Sequence, residues 1–319
     1  MKLNLYSSVG KCLALTLLIL SNYIRSSAQY SETGSFWEGG VTVGPSNFLG
    51  DLGGNFGKGK PFLKDNNIQM TKLTYGAFIA YYPQEAFGFR LNANFGLLEG
   101  DDAIIVGKGD WEEQRKRRNS NFRSRFSEAI LLTEVYPSVF FEYDETDTYH
   151  KFRPYGLFGV GVFRFNPQGT DPLTGKWVYL KPLHTEGEGW IAGRKEYSLI
   201  QFNIPMGFGI KYFLNDIMNL SLEVIHRRTF TDYIDDVSKR YVDPAIFYAN
   251  LPLAQAQLAE RVANKSGLVG GYVPFTPGKK RGAPENKDAY YSIGFKAAWR
   301  LFANSERRYR NSTRCPVRY

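Results

Sequence analysis

The residues with chemistry to offer fall into four groups. His226 is followed closely by Asp232, Asp235 and Asp236, an imidazole and three carboxylates of the kinds that activate water in acid–base hydrolysis. A hydrolase needs a second constellation facing the first, and no partner cluster, nor a Ser partner for any of the three His, is recognisable by motif. The four therefore read as a hydrogen-bonded rim cluster that anchors a loop, and the chain reads as a non-enzyme. Gly54 to Lys60 spells the G-x-x-x-x-G-K of a phosphate loop, but Pro61 stands where a hydroxyl would meet magnesium, and no strand leads in or helix out. Arg115-Lys-Arg-Arg118, with Arg123 and Arg125 beyond it, has the charge of a nucleic-acid patch in a cytosolic protein. On an exported chain the same run suits lipopolysaccharide phosphates, or plain solvation. The fourth group is dispersed: Glu38, Arg90, Glu128, Glu134, Lys211, Glu223, Arg227, Lys296 and Arg300 are acids and bases set singly between apolar residues. Two Cys and three His without a C-x-x-C pair offer neither a zinc site nor a disulfide framework, and no cofactor is expected.

The dispersed charges lie in segments that alternate with period two, the signature of strands with one polar and one apolar face. In Ile200 to Tyr212 the even positions are Ile200, Phe202, Ile204, Met206, Phe208, Ile210 and Tyr212, and Lys211 is on the other face. Tyr291 to Leu301, Phe87 to Phe95 and Glu128 to Tyr143 repeat the pattern, the last with Ala129, Leu131, Val135, Val139, Phe141 and Tyr143 on its apolar face. Trp37 to Gly44, Leu73 to Tyr82, Arg153 to Phe165 and Leu220 to Thr229 are less regular members, which makes eight strands.

Connections alternate between short (Pro83 to Ala86, Asp144 to His150, Leu214 to Ile217) and long (Pro45 to Lys72, Leu97 to Asn121, Asn166 to Tyr197, Phe230 to Asp288). That asymmetry, with strands long enough to cross a bilayer at the usual tilt, predicts an all-β, eight-stranded antiparallel outer-membrane barrel with long extracellular loops and both termini in the periplasm. A soluble lipocalin-like barrel would turn its apolar face inward instead; Tyr81, Tyr82, Tyr212 and Trp299 as candidate interfacial aromatics favour the membrane. Eight strands enclose a lumen that side chains fill. The nine dispersed charges are expected to converge there and neutralise one another, as a polar plug or as an ion path.

Residues 1–28 read as a signal peptide: Lys2 and Lys11 precede the apolar stretch Cys12 to Leu20, and Ser26-Ser-Ala28 is a small-x-small cleavage site. Loss of Lys2, Lys11 and Arg25 lowers the net charge from +9 to +6 and leaves Cys315 as the one thiol. Residues 29–302 are the barrel. Within its last loop Asp243-Pro244 starts a helix, and Leu253 to Ala263 continues as one with a stripe of Ala254, Leu258 and Val262. It is expected to lie over the barrel mouth, the other use being a recognition helix. Residues 303–319 are a basic tail whose Arg307, Arg308, Arg310, Arg314 and Arg318 form a candidate docking element on the periplasmic side.

Several longer motifs occur in a fixed order: Asn47 to Gly54 (N-F-L-G-D-L-G-G), Asn121 to Arg125 (N-F-R-S-R), Arg153 to Gly161 (R-P-Y-G-L-F-G-V-G) with Phe165-Asn-Pro167, Leu183 to Gly189 (L-H-T-E-G-E-G), Tyr197 to Gln201 with Pro205 to Tyr212, and Arg228 to Ser238 with Tyr241 to Pro244. Together they resemble the PorG family, the outer-membrane barrel component of the Bacteroidetes type IX secretion system, over about Gly39 to Trp299. The resemblance implies a non-enzymatic barrel associated with a periplasmic ring, made by a lipoprotein and its soluble partner, in a machine that exports proteins and often serves gliding motility. The expected partners are then those ring proteins together with outer-membrane lipids and lipopolysaccharide, with no nucleic acid and no small-molecule substrate. The long basic tail with Cys315 departs from the family. A generic small barrel for envelope stability or surface adhesion is the alternative function.

Overall fold

The computed structural model describes residues 35–52, 68–105, 111–141, 151–215, 217–268, 270 and 273–302. The expected leader, the phosphate-loop-like stretch, the turn at 144–150 and the basic tail with Arg307, Arg308, Arg310, Arg314 and Arg318 lie outside these residues.

Eight long strands form the barrel: β1 (Phe36–Leu49), β2 (Lys72–Gln84), β3 (Phe87–Asp101), β4 (Asn121–Val135), β5 (Phe152–Thr170), β7 (Ile200–Phe213), β8 (Met218–Thr229) and β9 (Ala289–Leu301). A short β6 (Trp177–Tyr179) folds back on the end of β5. All neighbours are antiparallel, β9 pairs with β1 (Leu301 opposite Trp37), and β4 pairs with β5, so the sheet closes and no long edge is left unpaired. The ends of β1 and β9 share the end of the barrel that carries the β2–β3 and β7–β8 turns; the long loops gather at the other.

Alternation decides the faces. On β7, Phe202 and Phe208 are both 67% exposed, whereas Asn203 and Lys211 on the opposite face are buried. Val41, Leu91, Leu131, Val160, Leu222 and Phe295 extend the exposed apolar surface around the wall. A contiguous belt of this kind is the surface that hydrocarbon covers in small outer-membrane barrels. At the turn end the belt is bordered by aromatics, with Trp37 and Tyr81 rings 4.9 Å apart and Phe152 and Tyr212 rings 4.7 Å apart. Tyr82 is not one of them. It follows Tyr81 by one residue, so it points into the lumen and is buried.

Three further expectations are corrected. The fourth strand is Asn121–Val135, not Glu128 to Tyr143, and a 3₁₀ turn at Pro137–Phe141 follows it. Pro137 has no N–H for a ladder, so the alternation of Val139 and Phe141 continues past the sheet without belonging to it. The β4–β5 connection is correspondingly long, and the short–long alternation is not strict. In the last loop α2 (Ala245–Asn250) and α3 (Leu253–Ala263) form as expected, after α1 (Trp111–Arg118), which was not foreseen. The buried stripe of α3 is Ala256, Ala259, Val262 and Ala263, while Ala254 is exposed. Its small residues pack in one cluster with Leu180, Leu183 and Phe247. That α1 lacks an apolar stripe explains its silence in the periodicity.

The lumen is not uniformly polar. One apolar cluster, including Phe78, Ile130, Leu132, Tyr136, Tyr155 and Leu157, occupies the turn half. A second, with Phe48, Phe122, Phe126, Phe163, Phe165 and Tyr290, occupies the loop half and reaches Tyr233 and Ile234 of the last loop. Charged layers lie among and between them.

Candidate functional site

Inward parity brings Glu38 from β1, Arg90 from β3, Glu134 from β4, Lys211 from β7, Glu223 from β8 and Lys296 from β9 into one knot. Arg90 Nη1 lies 2.7 Å from Glu134 Oε1 and 2.9 Å from Glu223 Oε2. One buried guanidinium thus joins two carboxylates. Lys296 Nζ is 3.2 Å from Glu134 and Lys211 Nζ is 3.1 Å from Glu38. The Tyr82 and Tyr136 hydroxyls donate to the other Glu134 oxygen at 2.6 and 2.5 Å, and Tyr155 donates to Glu223 at 2.9 Å. Aromatic faces complete the cation sites, with Lys211 Nζ 4.4 Å from the Tyr82 centroid and Lys296 Nζ 5.1 Å from that of Phe78. Three carboxylates meet three cations, which is how ionised groups survive burial.

Toward the loops, Glu128 takes two guanidinium nitrogens of Arg227, the nearer at 2.8 Å, and accepts from Asn94 and the Tyr290 hydroxyl, each at 2.8 Å. Between this layer and the knot lies a cavity of about 10 Å³, bordered by Thr42, Asn92, Asn94, Glu223 and Arg227, room for about one water. Arg300 stands apart from both layers. It is half-buried, with its guanidinium 4.0 Å above the Phe36 ring at the turn-end mouth.

The loop end carries a cap in which carboxyl groups tie loops to one another. Asp235 accepts from the backbone N–H of Leu52 (3.1 Å) and Val237 (2.9 Å), and Asp288 from that of Ile234 (2.8 Å). Asp236 accepts from the Tyr197 hydroxyl at 2.7 Å, and Glu186 from the amides of Ser238 and Lys239 at 2.9 and 2.8 Å. Glycines in the left-handed region, Gly187 (φ +70°) and Gly189 (φ +79°), coil the chain so that Glu186 and Glu188 both turn inward. Two arginines counter these acids. Arg281 reaches Glu186 (3.0 Å), the Thr185 hydroxyl (3.1 Å) and the Asp236 carbonyl (2.6 Å), while Arg118 grips Asp102 through two nitrogens at 2.7 and 2.9 Å.

Carboxyls outnumber guanidinium groups here, and burial dominates their titration. Burial pushes Asp232 up to about 8; neither of its oxygens makes an aligned hydrogen bond, and the Ser238 hydroxyl offsets only part of that cost. Burial, reinforced by the Asp236 and Glu186 carboxyls, likewise raises Glu188 to about 8. Asp236 reaches about 6, raised by burial and pulled back by Arg281. Burial, then neighbouring aspartates, carries Asp235 and Asp288 well above the ordinary carboxylate range.

Of the four residues read as a rim cluster, Asp232, Asp235 and Asp236 enter the cap and His226 does not. His226 lies on the outward face of β8, opposite Met206 and Tyr291, because the buried Arg227 beside it takes the inward position. The arginine run also divides. Arg118 is buried on Asp102, Arg117 donates to the Val273 carbonyl and lies 4.5 Å over the Phe275 ring, and Arg123 lies 4.4 Å over Trp177. Arg118 and Arg117 are therefore cap residues rather than an anion patch, and Arg125 remains exposed. Sequence reasoning missed Asp51, which accepts from the Ala283 N–H at 2.5 Å, together with Asp102, Glu188 and Arg281 as cap residues and the tyrosines of the knot. Parity alone marks Tyr82 and Tyr155 as inward; nothing local marks Arg281. Among the described residues no group of three or more acid, His or Cys side chains is arranged to hold a metal ion.

No family model matches the chain, and no curated protein matches it by sequence. Among solved structures it is similar to Ail, the attachment invasion locus protein of Yersinia pestis, with 6% identity and a TM-score of 0.35 over 83% of this chain and 99% of that one. Neisserial surface protein A gives 6% identity and 0.34 over 84% and 99%. The outer membrane protein OprG of Pseudomonas aeruginosa gives 15% and 0.30 over 83% and 96%.

Proposed function

We propose that this chain is a non-enzymatic integral outer-membrane barrel that anchors or positions the periplasmic ring of a type IX protein secretion machine, with its strand termini on the periplasmic side. The observation that carries the reading is that segments resembling the PorG family converge on one unit. Asp235 of one bonds to Leu52 of another, and Ser238 to Glu186 of a third. The ion-paired lumen knot and small cavity speak for an interaction protein over an open pore. In this reading the ring lipoprotein and its soluble partner, outer-membrane lipid and lipopolysaccharide are the partners, and the arginines of residues 303–319 are the docking element.

Deletion of the gene followed by a secretion assay for type IX cargo tests the proposal. Loss of export, restored by the full chain, supports it; intact export with only envelope defects makes the chain a generic small barrel. Tags placed at residues 108–118 and 274–286 test the orientation, which fails if neither is accessible on intact cells. Truncation after Phe302 should leave the barrel inserted but weaken co-purification of the ring, most clearly at low salt, because at high salt the tail's exposed ion pairs are already screened in the full chain.

A further inference from the structure

Outside the cap interior, the loops form an open cleft of about 470 Å³, within the size range of small-molecule sites. Arg194, Lys239, Arg240 and Lys280 line it, against one acid, Glu285. None of the four cations pairs with a carboxylate among the described residues. Three of them are held by carbonyl groups instead: Lys239 Nζ donates to Gly193 (3.0 Å), Arg194 Nη1 to Arg240 (3.0 Å), and Arg240 Nη1 to Gly278 (2.8 Å). Carbonyls orient these groups without cancelling their charge, and each arginine keeps further N–H donors for a ligand.

A second feature points the same way. Arg240 and Lys280 are partners in an antiparallel bridge, which sets two like charges side by side, an arrangement that costs stability. The bridge is anchored from below by Arg281, whose backbone N–H bonds to the Lys239 carbonyl (2.9 Å) while its side chain is committed to Glu186. The two backbone positions therefore cannot separate without undoing the cap, and an anion between the side chains relieves their repulsion.

We propose that this cleft binds a ligand bearing several phosphate or sulfate groups. Its anionic groups bridge Arg240 and Lys280 on one wall and Arg194 and Lys239 on the other. Two sources carry this chemistry, the phosphorylated sugars of the surrounding lipopolysaccharide and a soluble polyanion.

The test uses full-length protein in nanodiscs free of lipopolysaccharide, titrated calorimetrically with inositol hexakisphosphate and with a sulfated disaccharide, sucrose being the uncharged control. Both polyanions should bind and sucrose should not. The pair Lys239→Glu with Lys280→Glu should weaken binding at least about tenfold, whereas Lys176→Glu, exposed on the β5–β6 hairpin, should leave it unchanged. Retained heat-modifiability shows that the variants are folded. Absence of binding, equal affinity in the double variant, or an equal loss from Lys176→Glu would each overturn the proposal, the last by showing diffuse attraction. Phosphate retained by protein extracted from its own membrane separates the sources: a ratio to protein that drops in the double variant assigns lipopolysaccharide, and an unchanged ratio alongside lost probe binding assigns a soluble polyanion.

Discussion

Replacing Glu134 by Gln tests whether the knot is an electrostatic unit. Shape and most hydrogen-bonding capacity are kept, since the amide can present its oxygen to the cations while the Tyr82 and Tyr136 hydroxyls turn to accept from its nitrogen. What is lost is charge. Glu38, Glu134 and Glu223 balance Arg90, Lys211 and Lys296, and the variant leaves one positive charge in excess inside a closed wall. At 2.7 and 3.2 Å from its two cations, Glu134 interacts with each by roughly 5–6 kcal/mol at an effective dielectric of about 20. Reorganisation and water entry return part of this, and breaking one member of a buried pair costs about 3–5 kcal/mol in practice. Urea titration of the protein folded into lipid vesicles, followed by tryptophan fluorescence and heat-modifiability, reads the change. Adding Lys296→Met restores neutrality, and the thioether can pack where the lysine stem now lies near Phe78 and Tyr155, so the double variant should recover at least half of the loss. A loss within about 0.5 kcal/mol of zero for the single variant, or a double variant less stable than the single, would refute the reasoning.

Three other outcomes are expected. Phe208→Arg places a charge on the belt where the native ring is 67% exposed and should cost about 2–4 kcal/mol of insertion free energy; insertion as efficient as the native chain would mean that the faces are reversed. The cap should weaken as pH rises. Asp232 and Glu188 titrate near 8 when folded against ordinary values of 3.8 and 4.5, so between those values the folded state holds more protons than the unfolded one. Cap stability should then fall from about pH 4 to 8 and level off above, with faster amide exchange of Ile234 and Ser238 at pH 9 than at pH 5 after correction for intrinsic rates; equal corrected rates would contradict it. Arg281→Ala removes the counter-charge of Glu186 and should open the last loop to protease at a cost of about 3–5 kcal/mol, with the barrel still heat-modifiable, and an unchanged cleavage rate would show that the cap does not depend on this pair.

The wall of this protein is legible in its residues because a strand has a side-chain period of two. Once Phe202, Phe208 and Phe295 alternate with Asn203, Gly209 and Lys296, one face must meet an apolar surrounding and the other the lumen, and the burial of eight of the nine charges read as inward follows from that parity alone. Parity also separates Tyr81 from Tyr82 and His226 from Arg227, wherever it is applied one residue at a time. The limits appear where contacts cross the chain. Glu134 meets Arg90 because their strands are neighbours, and Lys296 because the barrel closes; the depth at which each charge sits depends on register, which no single strand encodes. Val139 and Phe141 keep the alternation of β4 yet leave the sheet, since Pro137 withholds an N–H and the pattern does not record it. The cap was the least visible part. Asp232, Asp235 and Asp236 are local in sequence, but the partners of the cap acids, Leu52 for Asp235, Tyr197 for Asp236 and Arg281 for Glu186, come from other loops. Periodicity reports only which solvent a side chain meets, so the two faces of the wall were decided by the sequence itself; the pairing of buried charges was left to the closed tertiary structure, because it depends on which distant groups burial brings within reach.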